Sequence, residues 1–277
     1  MKRLIIVLTI TMALLVLSSC FPGSGPKVPK SLLIDDIHSN YTEEFEPSKR
    51  YETLIQEFRG QGYTVDLASA KGFSPENYGV VLVATPGDAF SAGEIADLSA
   101  LLSRGGKIIV LGEWFEYYDN TILNALLSAL GIDIQLANNV LLDEVNNYDS
   151  ADQWITTAQF STHRVAQDLT KITLFAACSL EVGSAATVIS NAESTTFTLA
   201  GEDMQVFSSA DLSVPSNSLQ LEQNTTFPVI ASQSTGSGKI IVIGDSDVIA
   251  DDLEELISGE FVNVLDNLKL LRNIIEW

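Results

Sequence analysis

Apolar residues recur along this chain in two rhythms, short unbroken runs and helical stripes, and the two alternate. Ser31-Leu32-Leu33-Ile34 is an unbroken run ending in Asp35-Asp36, the pattern of a buried strand and its exit. Ile37-His38-Ser39-Asn40 opens a polar loop. Tyr51, Leu54, Ile55 and Phe58 then fall at i, i+3, i+4 and i+7, one face of a helix, with Gly60 and Gly62 as its stop. Tyr63–Leu67 predicts a short strand. Gly79–Ala84 predicts another, and its lack of alternation fits a parallel strand covered on both faces. Ser91-Ala92-Gly93-Glu94 has the spacing of a capping box and opens a helix with Ile95, Leu98, Leu101 and Leu102 inward. Lys107–Leu111 is the next strand. Residues 121–130 follow as a helix ended by Gly131, and Ile132–Ile134 as a further short strand.

Residues 150–237 break this rhythm. They are rich in Ser, Thr, Asn and Gln, with short apolar runs at Ile172–Leu180, Ala186–Ile189, Thr196–Leu199 and Val229–Ala231. This predicts a β-rich insertion or an antiparallel extension. The parallel pattern returns at Lys239–Ile243, which leads into Gly244-Asp245-Ser246-Asp247. Phe261, Val264, Leu265, Leu268, Leu271 and Ile275 predict a closing helix. Strand and helix in alternation imply an α/β domain over residues 31–277, an open, mostly parallel sheet with helices on both faces. Gly105-Gly106-Lys107-Ile108-Ile109-Val110-Leu111-Gly112-Glu113 and Ser237-Gly238-Lys239-Ile240-Ile241-Val242-Ile243-Gly244-Asp245 are near copies. They read as two strands of one sheet meeting the same demands.

The amino-terminal pattern is of another kind. Met1-Lys2-Arg3 precedes an apolar run from Leu4 to Leu17, shorter than the roughly 20 residues of a membrane span. It ends in Leu17-Ser18-Ser19-Cys20, which resembles the bacterial lipobox. The expectation is an export signal over residues 1–19, lipidation at Cys20, and a cell-envelope protein tethered to a membrane and facing the periplasm or exterior. Each buried acyl methylene would contribute about 0.8 kcal/mol to that tether. Residues 20–30, rich in Pro and Gly, read as a flexible spacer.

Charge narrows the partners. Against 36 acidic residues stand 15 basic ones, a formal charge of -21. Loss of Lys2 and Arg3 with the signal moves it to -23. Such a surface repels nucleic acid and anionic headgroups. With Cys20 acylated, Cys178 has no disulfide partner, and its apolar setting predicts a buried, inert thiol.

Three predicted strands end in acids: Asp35 and Asp36, Glu113, and Asp245 with Asp247. Ligands of open parallel sheets bind at these carboxyl ends. If the strands are neighbours, the acids share one rim with His38, Asn40 and Trp114. Clustered carboxylates suit a hard cation, calcium or magnesium, with Asp35, Asp245 and Asp247 as ligands and Asp251 and Asp252 in reserve. The alternative is that Asp245 and Asp247 cap their own turn. Trp114, Phe115, Tyr117 and Tyr118 crowd the same rim, as a surface or as packing for the next helix. Other chemistries lack their residues. Gly244-Asp245-Ser246 has no late Asp-x-x-His, as the esterase class that carries this block requires. Thr235–Lys239 precedes a strand, not the helix of a phosphate loop. Two histidines, His38 and His163, do not furnish a zinc site.

In order, several stretches resemble a known group. They are Asp35-Asp36-Ile37-His38-Ser39-Asn40, Phe90–Glu94 leading to Gly105–Val110, Thr162–Leu169, Gly244–Asp247 and the end at Trp277. The group is the class I glutamine-amidotransferase-like domain of gliding-motility-type ABC transporter auxiliary proteins and of an intraflagellar transport subunit. The resemblance implies a flavodoxin-like or amidotransferase-like sheet and a non-catalytic binding or scaffolding role, as an accessory of a transporter or envelope complex. Amidotransferases place Cys in a strained Gly-x-Cys-x-Gly elbow. In Gly112-Glu113-Trp114 the aromatic residue stands where Cys would be, so that chemistry is not expected. The rival expectation is a metal-assisted hydrolase using the acidic rim.

Overall fold

A computed structural model describes residues 28–38, 46–200 and 226–277. The expected signal, Cys20, most of the spacer and Asn40 lie outside the described residues. Eight strands make the central sheet: β1 (Ser31–Ile34), β2 (Thr64–Leu67), β3 (Val80–Ala84), β4 (Lys107–Leu111), β5 (Gln159–Phe160), β6 (Thr187–Asn191), β7 (Pro228–Thr235) and β8 (Gly238–Ile243). Their spatial order is β2-β1-β3-β4-β8-β7-β6-β5. From β2 through β8 the neighbours are parallel. From β8 to β5 they are antiparallel. The expected mostly parallel sheet is therefore a mixed one.

Continuous apolar runs in β1, β3, β4 and β8 bury both faces. On one face Leu32, Ile34, Leu82, Ile109, Leu111, Ile241 and Ile243 pack with helices α1 (Glu52–Gly60) and α4 (Asn267–Glu276). On the other, Leu33, Val81, Val83, Ile108, Val110, Ile240 and Val242 pack with α2 (Ala92–Ser103) and α3 (Thr121–Ala129). Each such side chain, fully buried, contributes about 1.5–3 kcal/mol. The stripe of Tyr51, Leu54, Ile55 and Phe58 is buried as its spacing predicts. Ser91 and Glu94 close the capping box in both directions, at 3.3 and 2.7 Å.

The near-copies prove to be adjacent parallel strands in register, Lys107 opposite Lys239 and Leu111 opposite Ile243. Both lysines reach the end of α4. Lys107 Nζ donates to the carbonyls of Ile274 (2.5 Å) and Ile275 (3.2 Å), and Lys239 Nζ to that of Trp277.

Several boundaries differ from the sequence pattern. Antiparallel pairing starts before residue 150: Ile134–Leu136 pairs with Leu180–Val182, and Asn139–Leu142 with Phe197–Ala200. These strands are too short for an alternation to register. Pro228–Thr235, inside the stretch read as an insertion or an antiparallel extension, forms an antiparallel hairpin with β8 in the main sheet, its turn at Gly236 with φ +60°. The closing helix starts at Asn267 rather than Phe261, because Leu265 takes φ +51° and is 49% exposed. Phe261 instead packs on Phe175, rings 4.3 Å apart. Among the described residues, no helix is long and apolar enough to cross a membrane.

Candidate functional site at the carboxyl rim

The loops after β4 and β8 leave the sheet side by side. Gly112 N–H donates to Ile243 O at 2.9 Å, and Gly244 O accepts from Cys178 N–H at 2.8 Å. Both glycines are demanded by close approach. A Cβ on Gly112 would stand 1.9 Å from Leu136 Cδ2, and one on Gly244 2.1 Å from Cys178 O. With the backbones so fixed, the acids that follow converge. Carboxylate oxygens of Glu113, Asp245 and Asp247 lie within 4.8 Å of one another.

Each of these acids also holds protein partners. Glu113 Oε2 accepts from Ser246 Oγ at 2.7 Å and Oε1 from Trp114 N–H at 3.0 Å. Asp245 Oδ2 accepts from Phe175 N–H at 2.7 Å and Oδ1 from Asp247 N–H at 2.8 Å. That is the turn-capping role weighed for it. Asp247 forms an ion pair with Arg50, at the end of the helical turn Pro47–Arg50. Burial pushes the Glu113 carboxyl up, and the charge of Asp245 pushes it further. Asp245, fully buried, is likewise raised by burial. Two carboxyls so placed do not readily ionise together.

The first strand's acids stand apart, because β3 lies between β1 and β4. Asp35 holds His38 instead, Oδ1 to Nδ1 at 2.9 Å. The His38 Nε2 faces Glu94 Oε1 at 3.3 Å, and the ring lies between Phe73 and Phe90, at 5.1 and 4.4 Å. The hydrogen bond that Asp35 accepts from the ring raises the His38 pKa against the opposing effect of burial. Asp36 accepts from Ser69 N–H and Oγ at 2.7 and 2.5 Å. Asp35 therefore does not join Asp245 and Asp247 as a ligand set. Asp251 accepts from Thr53 N–H (2.9 Å) at the head of α1, and Asp252 from Ile257 N–H (2.7 Å).

Arg50, Ser246 and Glu94 are the contributors that sequence spacing missed. Ser246 stood inside a motif read for its aspartates, and Glu94 in a capping box that left no hint of His38. Arg50 carried no signal, since it meets Asp247 across 197 residues. Cys178 is fully buried, and burial drives its thiol far above the ordinary range.

The N-terminal domain of mmIFT52 shares the fold, with a TM-score of 0.64 over 89% of this chain and 96% of that one, at 17% identity. The intraflagellar transport subunit of the sequence resemblance thus has a counterpart in fold. Two cytoplasmic proteins of Salmonella typhimurium, STM1381 (strain LT2) and STM3548, align over 89% of this chain. They cover 98% and 97% of their own lengths at 10% identity, with TM-scores of 0.47 and 0.48. No curated protein matches in sequence. The family model that matches spans residues 51–253, from the first residue of the α1 stripe to the loop after the acidic turn, so the chain belongs to the DUF4350 family, a domain of unknown function.

Proposed function

We infer that this is a lipid-anchored, non-enzymatic binding or scaffolding domain of the amidotransferase-like, flavodoxin-like kind, serving a partner in the cell envelope such as an ABC transporter. The observation that carries this reading is the turn after β4. Where an amidotransferase needs an exposed thiolate, the chain has Trp114, and the preceding Glu113 is tied to Ser246. The thiol of Cys178, beside this turn, is fully buried and held protonated, the opposite of a nucleophile's setting. A rim whose carboxyls are bonded to one another's loops suits a rigid platform.

The anchor rests on the lipobox-like Leu17–Cys20. In the full chain expressed in a bacterium, Cys20→Ala is expected to lose labelling by a palmitate analogue and to leave the detergent phase. Full retention in the detergent phase overturns the anchor. A second reading, cation-assisted hydrolysis, is favoured by the proximity of Glu113, Asp245 and Asp247 alone. Calcium or magnesium there would neutralise the repulsion and could lower the pKa of a bound water.

A further inference from the structure

Next to the buried acids the same two loops carry an apolar surface. After β4, Trp114 and Phe115 are half-buried while Glu116 and Tyr117 are exposed, Tyr117 at 73%. The Trp114 ring lies 5.1 Å from that of Tyr117 and 6.1 Å from that of Phe115. After β8, Leu253 is 37% and Leu256 53% exposed, with the exposed Glu254 and Glu255 between them. Three of the seven large apolar residues exposed among the described residues thus stand on two loops that rise from adjacent strands. Glu254 lies near enough to Tyr117 that its charge adds to burial in raising the phenol's pKa.

The loops are held in shape without covering these side chains. Tyr117 and Tyr118 N–H groups donate to Trp114 O at 3.2 and 3.1 Å, and Tyr118 Oη donates to Pro86 O at 2.7 Å. Asp252 N–H donates to Glu260 Oε2 at 2.5 Å, and Glu255 takes φ +56°. A preformed surface saves the ordering cost of binding.

We propose that the Trp114–Tyr117 and Leu253–Leu256 loops form a docking surface for a basic, amphipathic segment of a protein partner. Aromatic and aliphatic groups supply the desolvated anchors, and Tyr and Trp are the residues that most often carry binding energy. The acids interleaved with them, Glu116, Glu254 and Glu255, select a partner of opposite charge. Charge also decides against the other occupants. A second copy carries the same -21, and an anionic lipid surface is repelled likewise. The indole Nε1–H of Trp114 is buried with no acceptor among the described residues. An unmet buried donor costs about 1–3 kcal/mol.

This inference rests on the binding-domain reading and deepens it. The probe is a synthetic amphipathic Lys/Leu peptide of about five helical turns, with its Glu/Leu counterpart as control. Calorimetric titration of the full chain in detergent should show the Lys/Leu peptide binding at one site and the Glu/Leu peptide not binding. Tyr117→Ala and Leu256→Ser should each weaken binding about tenfold, the loss of an anchor of about 1.4 kcal/mol. Glu254→Gln should weaken it and reduce its salt dependence. Amide exchange should slow at 114–118 and 253–257 when the peptide is added. Attraction to overall charge alone would instead give several weak sites and equal weakening by Glu181→Gln, an exposed acid on Leu180–Val182. That outcome, or no binding, overturns the surface. Detergent partitioning of the wild-type chain against Cys20→Ala is the separate readout: the two differ when only the docking surface fails, and they are alike when the anchored-domain reading is at fault.

Discussion

Burial favours the protonated forms of Glu113 and Asp245, and the charge of Asp245 reinforces it at Glu113. Both folded-state pKa values lie above the unfolded carboxylate range of about 4. Their stabilisation is therefore complete below about pH 4 and is lost as pH rises through the folded values. Glu113→Gln keeps an acceptor for Ser246 or Trp114 and removes one of the two titrations. Urea unfolding at intervals from about pH 4 to about pH 7, below the range in which Lys107 titrates, should show the wild-type chain losing stability along this limb and Glu113→Gln losing much less. Equal slopes in the two proteins refute a proton held by this pair. The existence of acids at this rim was legible in the sequence, since strand runs ended in Glu113 and Asp245. Their pairing was not, because it depends on β8 crossing back to lie beside β4. Nor was the isolation of Asp35, which follows from β3 intervening.

At the level of elements, α4 is held through its carboxyl end. Buried Lys107 donates to Ile274 and Ile275, and burial first, then Lys239 and Arg164, lower its pKa to about 7. The indole of Trp277 lies 5.7 Å from Lys107 Nζ and 4.8 Å from Lys239 Nζ. A lysine charged when unfolded and depressed when folded opposes folding most below about pH 7. That cost is relieved as pH rises towards the ordinary lysine value of about 10.4. Above about pH 8, once Glu113 and Asp245 have titrated, the wild-type chain should thus gain stability towards about pH 10, and Lys107→Met should flatten the gain in a urea series over that range. A persistent rise in Lys107→Met assigns it elsewhere. Helices α1, α2 and α3 were legible because their stripes, the capping box at Ser91 and the stop at Gly131 are local signals. The start of α4 was misread because Phe261 and Val264 have helical spacing but bury themselves through a single turn and an extended residue. Residues 134–200 stayed vague because antiparallel pairs such as 134–136 with 180–182 are specified by distant partners.

For the whole molecule, a charge of -21 means that any added salt relieves self-repulsion. Thermal scans must therefore compare calcium and magnesium with sodium chloride at equal ionic strength. A cation bound at Glu113, Asp245 and Asp247 would raise the melting temperature beyond the sodium control, by about 2.7 kcal/mol of stability at one hundred times its dissociation constant. Asp245→Asn should cancel that excess. Turn capping alone gives matched curves in all salts, and chelator then changes nothing. The twin strands bear on how the chain reaches this state. In synthesis β1 through β4 are complete long before residues 238–243 exist, so the free edge of β4 waits for a strand nearly identical to itself. Another nascent chain offers the same Lys-Ile-Ile-Val segment, and its β4 can fill the gap as well as the cis β8 does. Only effective concentration within one chain discriminates between them, which makes crowding of half-finished copies, rather than weakness of the finished sheet, the hazard this architecture creates.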